Sequence, residues 1–366
     1  MKSSELATAP ARSPSRTAPA HPASRPARRS PASCASPLRN EFSWSLSRDR
    51  VLRECARKYY YTHYGMWGGW SVTATPRARE LYVLKNLKTR QMWAGTVVHE
   101  AIGRSIAHLR NGRSVLPPDE VVEITLARMR ADWIASKRRQ NRADPKRRVG
   151  LFEHEFALPV SPAEWRATAA IVDGCLRGFY ASPLYRRLRA VPPAMWLDAG
   201  EPRGFPLDLG DMTVRAWVQI DAAYRGDEGS VVLANWRTGR AGAERKDEQL
   251  QTATQALYAM ATWQVPLDRL RIIDLSLIDG DERRLAVSGA DLEAARASIL
   301  GSVRDMQALL ADSAQNVARE DDFPKTADLE RCLACSFRRL CRGRGIAGRA
   351  AASPANSRPA PVAPIR

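Results

Sequence analysis

Val214-Arg-Ala-Trp-Val-Gln-Ile-Asp221, followed by Val231-Val-Leu-Ala-Asn-Trp-Arg-Thr-Gly239, is the stretch on which the reading of this chain turns. Both segments are rich in β-branched and aromatic residues, and Arg225-Gly226-Asp227-Glu228-Gly229 between them is turn chemistry. The pattern predicts strands over 214–224 and 231–236, joined as a hairpin. Positions two apart on a strand share a side, so adjacent strands bring Asp221, Asn235 and Arg237 to a common face. Carboxylates placed this way hold Mg²⁺ or Mn²⁺, and a neighbouring cation screens charge on a phosphate. In this chain one carboxylate is present, one position is an amide, and the cation is an arginine. Taken alone, that is the residue set of a structural hairpin.

Outward from the hairpin, the periodicity changes from two to about 3.6. Upstream it predicts helices over 45–64, 92–109, 118–139 and 162–188. Downstream it predicts a helix over 244–263, a second hairpin of 271–278 with 283–287 around Asp279-Gly280, and a long helix over 288–310. No internal repeat is present. The order is that of an α/β body with a helical first half, read as one domain over 42–342 with a helical insertion at about 110–200.

The two ends differ in composition from the body. Residues 1–41 are mostly Ala, Pro, Ser and Arg, without apolar periodicity, and residues 343–366 are similar. Such segments bury too little apolar surface to offset their ordering entropy, so both are expected to be disordered. The leader shares its Arg- and Ser-rich, acid-poor composition with organelle transit peptides but lacks their amphipathic face. No apolar run reaches the ~18–20 residues of a membrane span, and no secretory signal is visible. A reducing, cytoplasmic setting and no membrane partner are the expectation. The formal net charge is +18. The first forty residues contribute +6, residues 342–366 contribute +5, and Lys137–Arg148 (KRRQNRADPKRR) adds seven bases against one acid. A surplus of this size favours a polyanion such as DNA through counterion release; its alternative is a solubility device.

Six cysteines are present: Cys34, Cys55, Cys175, Cys332, Cys335 and Cys341. The last three have the spacing C-x2-C-x5-C, which turns thiolates onto one centre. In a reducing compartment they read as metal ligands rather than disulfide partners. Zinc and iron–sulfur clusters both take four ligands, and the spacing does not separate them. Cys55 is the candidate fourth, because it would staple the start of the body to its end. Cys34 lies in the leader. Cys175 sits among Ile171, Val172 and Leu176 and reads as a small buried hydrophobe.

Several motifs in order resemble the PD-(D/E)XK nuclease superfamily, in its RecB-type branch related to CRISPR-associated exonucleases with a four-cysteine cluster. Phe42-Ser-Trp-Ser-Leu-Ser with Arg53-Glu-Cys-Ala-Arg-Lys-Tyr-Tyr-Tyr61 resembles the opening helix that supplies the first cluster cysteine. Trp93-Ala-Gly-Thr-Val-Val-His99 resembles the motif whose histidine binds metal. Ile220-Asp221 resembles the metal-binding aspartate strand, and Asn235-Trp-Arg-Thr-Gly239 falls where the family has Asp-Trp-Lys-Thr-Gly. Gln251 resembles the glutamine motif, with Gln255 in place of a usual tyrosine. Cys332, Cys335 and Cys341 fall on the three C-terminal ligands.

The resemblance implies a restriction-endonuclease-like mixed β-sheet flanked by helices, its two ends joined by a [4Fe–4S] cluster. It implies DNA, single-stranded or at duplex ends, as the substrate class, and a helicase or other repair or defence protein as a partner. It implies Mg²⁺ or Mn²⁺ at His99, Asp221 and residue 235. Gln251 would orient water or phosphate, and residue 237 would stabilise charge in the transition state. Two departures fall at the centre of that chemistry. Asn235 removes a charge and a strong ligand. Arg237 is bulkier than lysine, and its guanidinium does not give up its proton. Together they imply an impaired nuclease, unless Lys246, Asp247 or Glu248 reaches into the site. Without its motif, His99 reads as a structural histidine beside an apolar stripe. Glu153-His154-Glu155 reads as a solvated strand edge, with reach to the metal as the alternative. Trp67 and Trp70, in Gly65-Met-Trp-Gly-Gly-Trp70, read as packing residues, with stacking on single-stranded bases as the alternative.

Overall fold

Short side-chain caps start most of the helices. The protein is described by a computed structural model, which covers residues 39–239 and 245–343. The expected tails, and Cys34, lie almost wholly outside the described residues. The elements run α1 (Leu46–Glu54), α2 (Ala56–Tyr60), a π-helical turn (Tyr61–Gly65), α3 (Pro76–Lys85), β1 (Leu87–Lys88), α4 (Arg90–Arg110) and α5 (Pro118–Lys137). Next come β2 (Gly150–Leu151), α6 (Phe152–Glu155), α7 (Pro162–Ala181), α8 (Pro183–Ala190), β3 (Trp196–Asp198), β4 (Arg203–Asp208), β5 (Thr213–Val218) and β6 (Ala222–Arg225). The chain ends with β7 (Val231–Arg237), α9 (Arg245–Trp263), β8 (Leu270–Ser276), β9 (Glu282–Leu285), α10 (Gly289–Ala308), α11 (Leu329–Leu333) and α12 (Arg338–Arg342). Ser45, Thr75 and Thr89 cap α1, α3 and α4, while Ser161 and Ser288 form capping boxes with Glu164 and Asp291.

Three expected elements are broken in the structure. The helix over 45–64 is interrupted at Cys55, whose backbone is extended (φ −170°, ψ 120°). The carbonyls of Arg53 and Glu54 freed by that break accept Arg331 Nη1 at 3.5 and 3.3 Å. The helix over 162–188 divides at Ser182, because Pro183 disfavours helical backbone in the residue before it. The strand over 214–224 is two strands: β5 pairs with β4 in a separate ribbon, while β6 joins the central sheet.

That central sheet is mixed, ordered β3-β6-β7-β8-β9. Only β7 and β8 are parallel, joined by α9 as crossover; the other pairings are antiparallel. Strand β7 is buried along six of its seven residues, as a central strand covered on both faces must be. Its even positions, Val232, Ala234 and Trp236, pack in one core with α4, α7 and α8. Its odd positions, Val231 and Leu233, pack in a second core with α9 and α10. A third, smaller core gathers Tyr61, Met66, Leu81, Phe152 and Phe337, with Cys335 and Cys341 at its margin.

Candidate functional site

The parity of β7 decides where its polar residues go. Asn235 and Arg237 point to the α9 side, and Trp236 to the α4 side, where it stacks on His99 with ring centroids 6.3 Å apart. His99 Nδ1 lies 3.2 Å from Asp221 Oδ1, and Asp221 Oδ2 accepts the backbone N–H of Trp236 at 3.0 Å. Burial opposes charge on the His99 ring, but the hydrogen bond and charge of Asp221 outweigh it, and the pKa is raised above 6.5. His99, Asp221, Asn235, Arg237 and Gln251 all line one open cavity, together with Thr96, Glu100, Gln219 and the Thr238-Gly239 turn. Gly95 on α4 keeps that turn close: a Cβ there would lie 2.9 Å from Thr238 Oγ1.

Within this cavity the two departing residues are already engaged. Asn235 Nδ2 donates to Gln255 Oε1 at 2.9 Å, and Gln255 Nε2 donates back to Asn235 Oδ1 at 2.9 Å. Gln255 Nε2 also donates to the Gln219 carbonyl at 2.8 Å. Both amides are buried, and each satisfies the other.

Arg237 donates through Nε to Asp274 Oδ1 at 2.6 Å and through Nη2 to Glu248 Oε1 at 2.5 Å. Arg283 closes the group, reaching Glu248 at 2.7 Å and Asp274 at 2.9 Å. Two guanidiniums thus face two carboxylates, with Asp274 only 3 % exposed. Burial works against the charge of Arg237, yet its bonds to Glu248 and Asp274 raise its pKa further. Burial likewise opposes the Glu248 carboxylate, and its bond to Arg237 holds it below the usual range.

The three rescue candidates on α9 are disposed differently. Glu248 is in the network just described. Asp247 is bound by Arg50 at 2.6 Å and Arg53 at 2.8 Å. Lys246 is exposed. Asp274 and Arg283 were not foreseen, because they enter through the β7–β8 and β8–β9 register, which pairs Asn235 with Asp274 and Asp274 with Arg283. Glu153 and Glu155 are buried rather than solvated: Glu153 accepts the Arg90 N–H at 2.9 Å, and Glu155 accepts Arg142 at 2.6 Å.

At the joined ends of the body, Cys55, Cys332, Cys335 and Cys341 line one cavity with Glu54, Lys58, Lys325, Arg331, Arg338 and Arg342. Cys55 sits at the break between α1 and α2, Cys332 on α11 and Cys341 on α12. Burial pushes the Cys335 thiol up to about 11 and raises that of Cys341. Cys175 is buried in the first core, as its neighbours predict. Among the described residues no group of three or more His, Cys, Asp or Glu side chains is arranged to hold a metal ion.

A model of the PD-(D/E)XK nuclease superfamily matches residues 43–342. The chain belongs to that superfamily. The mixed α/β architecture is consistent with its restriction-endonuclease-like fold. No curated protein matches the chain. A solved structure described as "Crystal structure of SSO0001" aligns with a TM-score of 0.27 and 12% identity, covering 58% of this chain and 84% of its own. That similarity is too slight to support further inference. Among the described residues no helix is long and apolar enough to cross a membrane.

Proposed function

We propose that this chain is a DNA-binding PD-(D/E)XK protein of the RecB-type branch whose cleavage chemistry is impaired. The observation that carries this reading is the reciprocal Asn235–Gln255 pair. The amide oxygen that would replace a metal-binding carboxylate is already accepting a hydrogen bond, and its N–H donor points to the same partner. The second support is Arg237, whose charge is spent on Asp274 and Glu248 rather than offered to a phosphate. A divalent ion at such a site supplies activated water and charge neutralisation when bound. The side chains that would hold it are His99 and Asp221, with residue 235 contributing at most a weak oxygen. The basic surplus of the chain supplies attraction to DNA. The setting in this reading is cytoplasmic, in a repair or defence assembly with a helicase or similar partner.

The test is incubation with labelled single-stranded and duplex DNA in Mg²⁺ or Mn²⁺, alongside filter or anisotropy measurements of binding. Binding that weakens steeply with salt, without product, is expected. Rapid degradation by the wild-type chain overturns the impairment. Binding that disappears when the two tails are removed makes the body a structural partner subunit instead.

We further propose that Cys55, Cys332, Cys335 and Cys341 hold a [4Fe–4S] cluster. The four line one cavity although Cys55 is separated in sequence from the other three by most of the body. A cluster with four thiolates is a net anion, and the surrounding Lys58, Lys325, Arg331, Arg338 and Arg342 offset that charge. Cysteines bind such a group as thiolates, with release of their protons. Anaerobically purified protein is expected to absorb in the visible and to contain iron and inorganic sulfide. A colourless, zinc-loaded protein would reject the iron assignment, and serine at any one of the four positions should abolish the colour.

A further inference from the structure

Trp67 and Trp70 are exposed to 37% and 40%, where large apolar side chains are ordinarily covered. Their rings meet edge to face, centroids 5.0 Å apart at 84°. Two glycines between them set this geometry. Gly68 adopts φ +76°, and Gly69 presses so closely on α3 that a Cβ would lie 2.4 Å from the Ala78 carbonyl and 2.6 Å from Tyr82 Cβ. The backbone of the loop therefore occupies the space against α3, and the indoles are left at the surface.

One arginine joins this loop to the basic segment after α5. Arg79 Nη1 donates to the Gly69 carbonyl at 3.3 Å, while Nη2 donates to the carbonyls of Arg142 and Ala143 at 2.7 and 2.9 Å. The basic segment presents Lys137, Arg138, Arg139, Lys146, Arg147 and Arg148, all exposed. Lys85 Nζ lies 3.9 Å from the Met66 sulfur, beside Trp67, and burial together with the charges of Arg48 and Lys146 pushes its pKa down to about 8. Arg79 thus ties the backbone of the aromatic loop to that of the cationic loop.

We infer that these two loops bind single-stranded DNA, the bases stacking on Trp67 and Trp70 and the phosphates lying along Lys146–Arg148. Unpaired bases offer free π-faces to an indole, whereas a duplex keeps its bases stacked inside. The charge beside the indoles is predominantly positive, with Asp144 beside Arg147 and Glu80 paired to Arg142, and the surplus of lysine and arginine suits a polyanion. The inference rests on the DNA-binding reading above and assigns to it a contact outside the cavity of His99 and Asp221.

The test uses the full-length chain, a labelled oligothymidylate and a blunt duplex of equal length, at several salt concentrations. Trp67→Ala/Trp70→Ala is expected to weaken oligothymidylate binding at least ~10-fold while changing duplex binding less than ~2-fold. Trp67→Phe/Trp70→Phe should recover most of the loss, which excludes simple misfolding. Lys146→Gln/Arg147→Gln/Arg148→Gln should make the slope of log affinity against log salt shallower by about 2 for the single strand. Oligothymidylate binding untouched by the alanine pair overturns the inference and leaves DNA binding by the protein standing; so does an equal loss on both DNAs, or failure of phenylalanine to rescue. A wild-type chain that binds neither DNA ends both readings together.

Discussion

Asn235→Asp/Arg237→Lys restores little cleavage by itself, and adding Gln255→Tyr raises it roughly 10–100-fold over wild type. The factor is of the order by which a metal site's supporting partners change its activity. The first part follows from the amide pair. An aspartate at 235 sets a carboxylate oxygen against Gln255 Oε1, where Asn235 Nδ2 now donates at 2.9 Å. Gln255 cannot simply turn over, because its N–H group also serves the Gln219 carbonyl. The new carboxylate is buried and only half satisfied, costing about 1–3 kcal/mol and drawing a proton. Tyrosine at 255 removes the opposing oxygen and can donate its hydroxyl. Lysine at 237 lacks the fork that spans Asp274 and Glu248, so its ammonium is freer to meet a phosphate. Product formation on labelled DNA in Mn²⁺ measures all three proteins. Wild-type cleavage equal to that of the triple variant would sink the impairment reading.

Arg57→Met lowers the stability of the body by about 3 kcal/mol, a fall in Tm of about 5 °C. Arg57 lies on α2 with only 10 % of its side chain exposed. It donates to the Phe323 carbonyl at 2.7 Å and to Glu320 at 2.8 Å. Glu320 also accepts the Tyr61 hydroxyl at 2.8 Å and Arg77 at 2.8 Å. Methionine keeps much of the packing but orphans a carbonyl and removes one cation from a partly buried carboxylate. Burial pushes Glu320 upward, yet the bonds from Arg77 and Tyr61 and the charges of Arg77 and Arg57 hold it below 4.5. A carboxylate depressed in the folded state stabilises it above the unfolded pKa, and that contribution fades as pH falls through the depressed value. Thermal melts of wild type should therefore lose stability below about pH 4.5, and Glu320→Gln should flatten that part of the profile. Melts of Glu320→Gln that fall as steeply as wild type would place the acid sensitivity elsewhere.

The hairpin of β6 and β7, the helix crossing to β8 and the pooling of cysteines from both ends were legible in the sequence. Each is carried by local pattern: turn residues, helical spacing and a tight C-x2-C-x5-C run. The break between β5 and β6 was not, because alternation continues unbroken through Ile220. The chain turns there as the Gln219 carbonyl is taken by Gln255 and Asp221 by the Trp236 N–H. Helix α3 was missed although Thr75-Pro76 is a readable start; ten residues with no clear apolar stripe gave little else. Strand β4 was passed over because Gly204 and Pro206 argue against a strand, and only a two-stranded ribbon tolerates them. At the site, His99, Asp221, Asn235, Arg237 and Gln251 came from motif order. Asp274 and Arg283 depend on strand register, which no local pattern displays. Burial of Trp67 and Trp70 was expected from their apolar character, and the glycines between them reversed it.

The joining of the two ends has a consequence for synthesis. Arg57 meets Phe323 across 266 residues and Trp44 meets Ser302 across 258. Contacts this distant in sequence make for slow folding, since the closure of a long loop comes before its reward. On the ribosome, at roughly 5–20 residues per second, α1 and α2 wait on the order of ten seconds to a minute for their partners to be made. During that interval Trp44, Tyr59 and Cys55 lack the part of their native surroundings that comes from Ser302, Phe323 and the C-terminal cysteines. The partners of the first helices are complete only once residues 302–341 have been made, and only then can the cysteine pocket close.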